Sequence, residues 1–392
     1  MTKKPPEERR TRMLAALSGG WVADAAGLGL HWLYSSERIL DVAGQRPEFL
    51  SPRVDYFDGV FGFFAHEGKK PGDMSHYGAA TKVLTDSLLA NDGQLNVRDY
   101  QRRFVNYFGP GGGWQGFIDN PTRWTLINLA ANEQKAIEEA FASIDTDLTD
   151  KQKRVLVQKV MPYVRRLSGV ALAAPVREAI NLTYKESGIQ DAGVFLAQTI
   201  DRKLSPESGA DDTQLPAVSK LPPLVACYAG KQDLMAQVDA AVRVTNNSDE
   251  AVAWAHCTAR LLEGLFLGQA LAEAMDAAAE LAPDAASLAH ARTSAPLDAI
   301  NAGDTFGRTC YLDEAMPVSF HIISQAQSFA EAVRANIHCG GDSCGRAWLI
   351  GPAMAAIHGV GGERGIPLSW LSRVTGAADL YGDLEALIPG ER

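Results

Sequence analysis

The sequence predicts an all-α fold, a multi-helix bundle closed around one core. Three observations lead to it. Apolar residues recur three and four positions apart through long stretches, the spacing of one buried helical face. Alternating β-branched segments separated by tight Gly or Asn-Gly turns are absent. Alanine-rich stretches such as residues 270–281 supply small side chains that let helix axes approach.

The opening helix carries Met13, Leu14, Leu17, Trp21, Ala25 and Leu28 on its inner face. The same spacing returns at Val155, Val160, Tyr163, Val164 and Leu167, and again at Val252, Ala255, Ala259, Leu262 and Phe266. Residues 1–12 are polar and charged and read as a lead-in to a single helical domain over residues 13–392. A chain of 392 residues suffices for two average domains or for one large helical core, and length alone does not decide. Residues 45–73, 107–123 and 205–223 are rich in Gly, Pro, Asp and aromatics, and long ordered loops of this kind tend to build a site. Residues 283–304 read as an Ala/Ser/Pro connection that carries little chemistry.

Composition sets the function classes. With 46% apolar and 21% charged residues the chain has the make-up of an ordinary globular protein. A formal charge of -10 disfavours a phosphate-backbone interface, which needs clustered Lys and Arg, so nucleic acid is not an expected partner. Residues 1–12 lack the apolar run and cleavage site of a secretory signal, and eighteen apolar residues never run on without a charge; neither export nor a membrane span is expected. Cys227, Cys257, Cys310, Cys339 and Cys344 are odd in number and form no CxxC pair, which points to reduced thiols and a cytoplasmic or organellar-stroma location.

Several residues have chemistry to offer. Asp211 and Asp212, with Thr213 and Gln214, make the strongest acidic cluster outside the late motif. Facing Asp342, such carboxylates can divide acid and base roles, because burial and like charge push their pKa values apart; the alternative is a solvated or helix-capping pair. Trp32 can stack on a ring while His31 or His76 donates a proton or a hydrogen bond, and the alternative is a core Trp with satisfied core histidines. The glycines from Gly109 to Gly113 offer closely spaced N–H groups for a phosphate, or simply a flexible turn. Asp119 and Thr122 are site residues or caps of the next helix. Cys344, His76 and Asp342 form a soft-metal trio if they meet, against which stands a buried inert thiol. Arg346 and Lys220 either bind an anionic substrate group or neutralise Asp342 and Asp212.

Residues Gly20-Trp21-Val22-Ala23-Asp24-Ala25-Ala26-Gly27 and His338-Cys339-Gly340-Gly341-Asp342-Ser343-Cys344-Gly345-Arg346, followed by Ile366-Pro367 and Trp370, resemble the ADP-ribosylglycohydrolase family. The stretches Leu30–Tyr34, Gly72–Gly78, Gly116–Thr122 and Ala210–Gln214, with Ser219–Leu224, are most similar to its branch of J-type crystallins and selenoprotein J. In metal-dependent members an early Ser/Thr-Asp-Asp-Thr run and a late Gly-Gly-Asp-Thr-Asp-Thr run hold two magnesium ions. Here the first reads Ser75-His76-Tyr77-Gly78 and the second Gly341-Asp342-Ser343-Cys344-Gly345, so only Asp342 remains of the four aspartates.

The resemblance implies a hydrolase of an N- or O-glycosidic bond in an ADP-ribose-like or ribosyl substrate, either a small molecule or an ADP-ribosylated partner. Asp342, Asp212 and Asp211 are then the catalytic candidates. His31, Trp32, Ser75, His76, Tyr77, Gly113, Asp119, Gln214 and Arg346 are the substrate-binding candidates. No metal ligand set is expected, because magnesium prefers a shell of hard oxygens that His and Cys do not supply. The alternative is a non-catalytic descendant kept as a ligand-binding or structural, crystallin-like protein. On either reading the Asp24 and Asp342 helices should be neighbours, and the stretches around His31, His76, Asp212 and Asp342 should converge, raising a carboxylate pKa.

Overall fold

A computed structural model describes residues 6–143, 203–293 and 296–390. The sequence-predicted helix over residues 155–167 lies outside them. The chain begins α1 (Glu7–Gly27), α2 (Ser36–Ala43), α3 (His76–Ala90), α4 (Val97–Phe108) and α5 (Asn120–Ser143). After residue 202 come α6 (Pro216–Ser219), α7 (Leu221–Tyr228), α8 (Leu234–Arg243), α9 (Asp249–Leu267), α10 (Leu271–Ala279) and α11 (Ala285–Thr293). The chain closes with α12 (Ala299–Phe306), α13 (Leu312–Gln325), α14 (Phe329–Cys339), α15 (Ser343–His358), α16 (Leu368–Leu371) and α17 (Ala377–Leu387). Extended pairing among the described residues is limited to isolated β-bridges, such as Gln214 with Tyr311. The fold is all-α, and one buried apolar cluster has members on helices from α1 to α17.

At its centre α1 crosses α15 in antiparallel sense. Every residue of α1 from Met13 to Gly27 is buried, as is every residue of α15 from Ser343 to Ala356, so both helices are buried all round rather than on one stripe. By length and composition α1 with the following turn is apolar enough to cross a membrane, yet its apolar window lies wholly inside the protein. Glycine makes the crossing close. A Cβ on Gly19 would stand 2.5 Å from Ala355 Cβ, and one on Gly351 would stand 2.5 Å from the Gly19 carbonyl. Gly27 lies against Ser343 and Cys344 at the other end, which brings the end of α1 to the start of α15. Around this pair stand α14, α13, α9 and α6, with α3 and α7 beside them.

Three boundaries differ from the sequence-based expectation. The lead-in is already helical from Glu7, because Glu7 and Glu8 supply first-turn negative charge at the positive end of the helix dipole. Residues 283–304 hold α11 and α12 rather than a plain connection. Asp284 accepts the Ser287 N–H at 3.0 Å and Asp298 accepts the Asn301 N–H at 2.9 Å, so each short helix has a capping aspartate. The loop over residues 205–223 becomes helical at Pro216, where proline inside the first turn forgoes only an N–H that has no intrahelical partner.

Candidate functional site

The late motif is built around Asp342, the N-cap of α15. Gly340 and Gly341 enter it with φ of 80° and 68°, and a Cβ on Gly341 would collide with the Arg308 carbonyl, so the turn needs glycine. The carboxylate is fully buried and accepts three donors. Oδ1 takes the Gly345 N–H at 2.9 Å and His31 Nε2 at 2.9 Å; Oδ2 takes the Tyr77 hydroxyl at 2.6 Å. Burial alone would raise its pKa, but His31 and Tyr77 together outweigh burial and hold the carboxyl well below the usual range.

That arrangement fixes the protons on two imidazoles. An ionised Asp342 can only accept, so His31 Nε2 carries hydrogen; in the neutral ring that burial favours, Nδ1 then accepts from His66 Nε2, 2.7 Å away. Burial pushes the pKa of both rings down, most strongly for His66, where the neighbouring His31 and His76 add to it. Tyr77 moves the other way, because burial and the Asp342 charge keep its hydroxyl protonated.

Depressed histidine pKa values have a thermal signature. The stability these rings contribute is present above about pH 6.5, the unfolded value, and is lost as pH falls through their folded values. Asp24 acts with the opposite sign, since burial raises it to about 6 against the lowering hydrogen bonds from Ser75, and burial raises Asp212 to about 6 as well. A His66→Gln variant can still donate to His31 Nδ1 without titrating. Its melting temperature is therefore expected to fall less than that of the wild type between pH 7 and pH 5, and parallel curves would contradict the assignment.

Ser75 joins the early motif to α1. It caps α3 by accepting the Tyr77 N–H at 3.1 Å, and it donates to Asp24 through its hydroxyl at 2.5 Å and its N–H at 3.0 Å. The next residue, His76, places Nε2 3.2 Å from Asp119 Oδ2, an ion-pair distance whose geometry falls short of a hydrogen bond. Nδ1 of the same buried ring has no protein partner among the described residues. Asp119 also caps α5, taking the Thr122 N–H at 2.7 Å. Burial raises its pKa, and His76 with Thr122 more than reverses that.

Asp212 forms the more open side. It is half-buried, whereas Asp211 is exposed. Its Oδ1 accepts the Gln214 N–H at 2.8 Å and Asn246 Nδ2 at 3.1 Å. Burial first, then the Asp119 charge, raises it to about 6, so this carboxyl exchanges its proton within about a unit of neutrality. Cys310 stands within electrostatic reach of Asp342, Asp212 and Asp119, which raise its thiol further after burial. The bridge between Gln214 and Tyr311, with Leu215 donating to the Cys310 carbonyl at 2.8 Å, holds the two loops together.

Aromatic rings cover the assembly. Trp32 stacks on His31 at 4.3 Å between centroids and meets Phe117 edge-on at 5.0 Å and Phe63 at 5.8 Å. Its φ of 65° is rare for a bulky residue, and such strain persists only where the surroundings over-determine it. Here the Trp32 N–H donates to the Gly341 carbonyl at 2.9 Å and its carbonyl accepts the Phe63 N–H at 3.0 Å.

The expected residues therefore gather unevenly. His31, His76, Tyr77 and Asp342 meet directly, with Asp119 against His76; Asp212 and Gln214 join through loop pairing, not through a bond to Asp342. Arg346 is fully buried and donates to Asn336 Oδ1 at 2.9 Å and the Gly340 carbonyl at 2.6 Å, so it braces the glycine turn instead of reaching a ligand. Gly113 is exposed at the rim. The N–H groups of Gly112 and Trp114 beside it donate to the Gly109 and Tyr107 carbonyls, which leaves little of the anticipated phosphate cradle. Cys344 directs its thiol to the Asp24 carbonyl at 3.5 Å. Among the described residues no group of three or more His, Cys, Asp or Glu is disposed to hold a metal. His66, Cys310, Thr245 and Asn246 were not legible as site residues. The one available signal was that His66 lies in an aromatic-rich loop already marked as site-building.

A helical domain with a Gly-Gly-Asp cap seated against the first long helix defines the class. The ADP-ribosylglycohydrolase family matches residues 5–391, and the chain belongs to that family. Two relatives are crystallins of Tripedalia cystophora: the chain is 26% identical to crystallin J1A over 390 residues, covering 97% of each chain. It is 25% identical to crystallin J1B over 379 residues, covering 94% of this chain and 93% of that one. A solved ADP-ribosylglycohydrolase-related protein complex contains a chain of like fold, with a TM-score of 0.57, 18% identity and coverage of 98% and 99%.

Proposed function

We propose that the chain hydrolyses an N- or O-glycosidic bond at a ribose carbon of an ADP-ribose-like or ribosyl substrate, with Asp212 as the proton-carrying group. One observation carries this reading: a half-buried carboxyl with a pKa near 6, beside the Asp119 and His76 pair, at the open edge of the family site. In the reaction the bond from the anomeric carbon to nitrogen or oxygen breaks and the leaving atom takes the Asp212 proton. Water then adds to the cation-like carbon and returns its proton to the carboxylate. Asp119 supplies fixed negative charge near that carbon, while Trp32 and Phe117 supply faces for stacking.

The residues present do not fit the two-magnesium arrangement of metal-dependent members. Asp342 already accepts three hydrogen bonds, and the early motif offers His76 and Tyr77, of which Tyr77 is an O–H donor, where hard anionic oxygens are required. A non-catalytic, ligand-holding role is the second reading. It is favoured by the same closure of Asp342 by its own neighbours and by the crystallins among the relatives.

Thermal-shift titration with ADP-ribose, nucleosides and ribosyl-arginine separates the two. Asp212→Asn is expected to retain the wild-type stability within about 1 kcal/mol, since the residue is part-exposed, and to lose turnover of a ribosyl substrate. Ligand stabilisation without turnover in the wild type would favour the second reading. No stabilising ligand at all would count against both.

A further inference from the structure

Lys220, at the junction of α6 and α7, is fully buried, and among the described residues its Nζ bonds only neutral oxygens: the Pro216 carbonyl at 2.8 Å and Thr245 Oγ1 at 2.5 Å. Thr245 in turn donates its single hydroxyl proton to Asn246 Oδ1 at 2.9 Å. That bond orients the amide, so Asn246 Nδ2 faces Asp212 Oδ1 at 3.1 Å. Each link pairs a donor with an acceptor, while the ammonium form of Lys220 keeps one N–H without a partner among the described residues. Thr245 and Asn246 are as buried as Lys220, and Thr245 is held by its own carbonyl, which accepts the Thr125 hydroxyl at 3.1 Å from α5. The chain ends at the one carboxyl assigned a proton-transfer role.

We propose that Lys220, Thr245 and Asn246 are a positioning relay for Asp212, orienting its carboxylate and transmitting to it the positive charge of a buried amine. The relay rests on the assignment of Asp212 in the preceding subsection. A purely structural origin does not account for it. Two acceptors match the two N–H groups of a neutral amine, so the ammonium form leaves a third N–H buried and unpaired, and an apolar side chain of the same length would fill the space at less expense. Burial accordingly draws the Lys220 pKa down to about 7, with Asp119 and Asp212 opposing the shift. The side chains of Asp119, Asp211, Cys310 and Asn246 are the other charged, titratable or bonded groups that face Asp212.

The test is a carbon-13 titration of the aspartate carboxyls in the full-length chain, with the Asp212 signal identified by its absence in Asp212→Asn. Thr245→Val keeps the shape but removes the central hydroxyl, and Lys220→Met removes the charge. Each is expected to raise the Asp212 midpoint by about one pH unit, because a hydrogen bond or positive charge that favours the carboxylate is gone. Thr245→Ser is expected to restore the wild-type midpoint. An unmoved midpoint in folded Thr245→Val, or a serine variant that behaves like valine, would overturn the relay. Should Thr245→Val not fold, Lys220→Met reads the same midpoint and decides. The outcome is separable from that of the hydrolase reading. Midpoint shifts together with unaltered turnover in Asp212→Asn would sink the catalytic assignment and keep the relay as a tether of that carboxylate, whereas loss of turnover with fixed midpoints would sink the relay alone.

Discussion

Replacing Asp342 with asparagine is expected to destabilise the protein by about 3 kcal/mol at neutral pH. The carboxylate accepts Gly345 N–H, His31 Nε2–H and the Tyr77 hydroxyl with nothing exposed. An amide has one acceptor oxygen and turns two N–H groups toward donors, so at least one buried partner loses its bond. The helix α15 also loses a negative N-cap at its positive end. The sign of the pH dependence follows from the lowered carboxyl pKa: this contribution is present above the unfolded value near pH 3.8 and lost as pH falls through the folded one. Wild type and variant melting curves should therefore differ widely at pH 7 and converge in strong acid. A difference at pH 7 below about 1 kcal/mol would mean that Asp342 is held less tightly than its bonds indicate.

Gly351→Ala should be at least as damaging, although it adds one methyl group. The new Cβ would stand 2.5 Å from the Gly19 carbonyl oxygen and 2.8 Å from Ala23 Cβ, both on α1. Neither neighbour can rotate away, because one is backbone and the other is the first atom of its side chain. The two central helices must separate, and a loss of about 3 kcal/mol is expected, at the upper end of overpacking effects. Gly382→Ala on α17 is the control, since its Cβ meets nothing within 4 Å among the described residues. There the helix propensity of alanine should add up to about 1 kcal/mol. Equal effects of the two substitutions in chemical denaturation would remove the argument for a glycine-dependent crossing.

The helical class was legible because large apolar residues recur at helical spacing over Met13–Leu28 and Val252–Phe266, although burial there extends around nearly the whole helix. Helix ends were less legible. Asp284 and Asp298 act through single capping bonds, which look like any other aspartate near a serine or asparagine. At the site, the family motifs placed His31, His76, Tyr77 and Asp342 together, and the structure brings them into contact. What the motifs did not convey is protonation. Asp342 was expected to share in proton transfer, whereas its three donors hold it ionised and the raised pKa values belong to Asp24 and Asp212. His66 was overlooked because its partner His31 lies 35 positions away, a separation that leaves no local pattern. Arg346 read as an anion binder or a partner of Asp342, since a sequence does not reveal that its guanidinium faces the Gly340 carbonyl.

The most direct test of the account is the rate at which ribosyl-arginine is hydrolysed in a metal-chelating buffer by the wild type and by Asp212→Asn. If the site works with its own donors and a proton-carrying carboxyl, wild-type turnover should persist in the chelator and fall about 100-fold or more in the variant, the usual scale of general acid–base catalysis. Turnover that appears only when magnesium is restored, or that Asp212→Asn leaves unchanged, would contradict it.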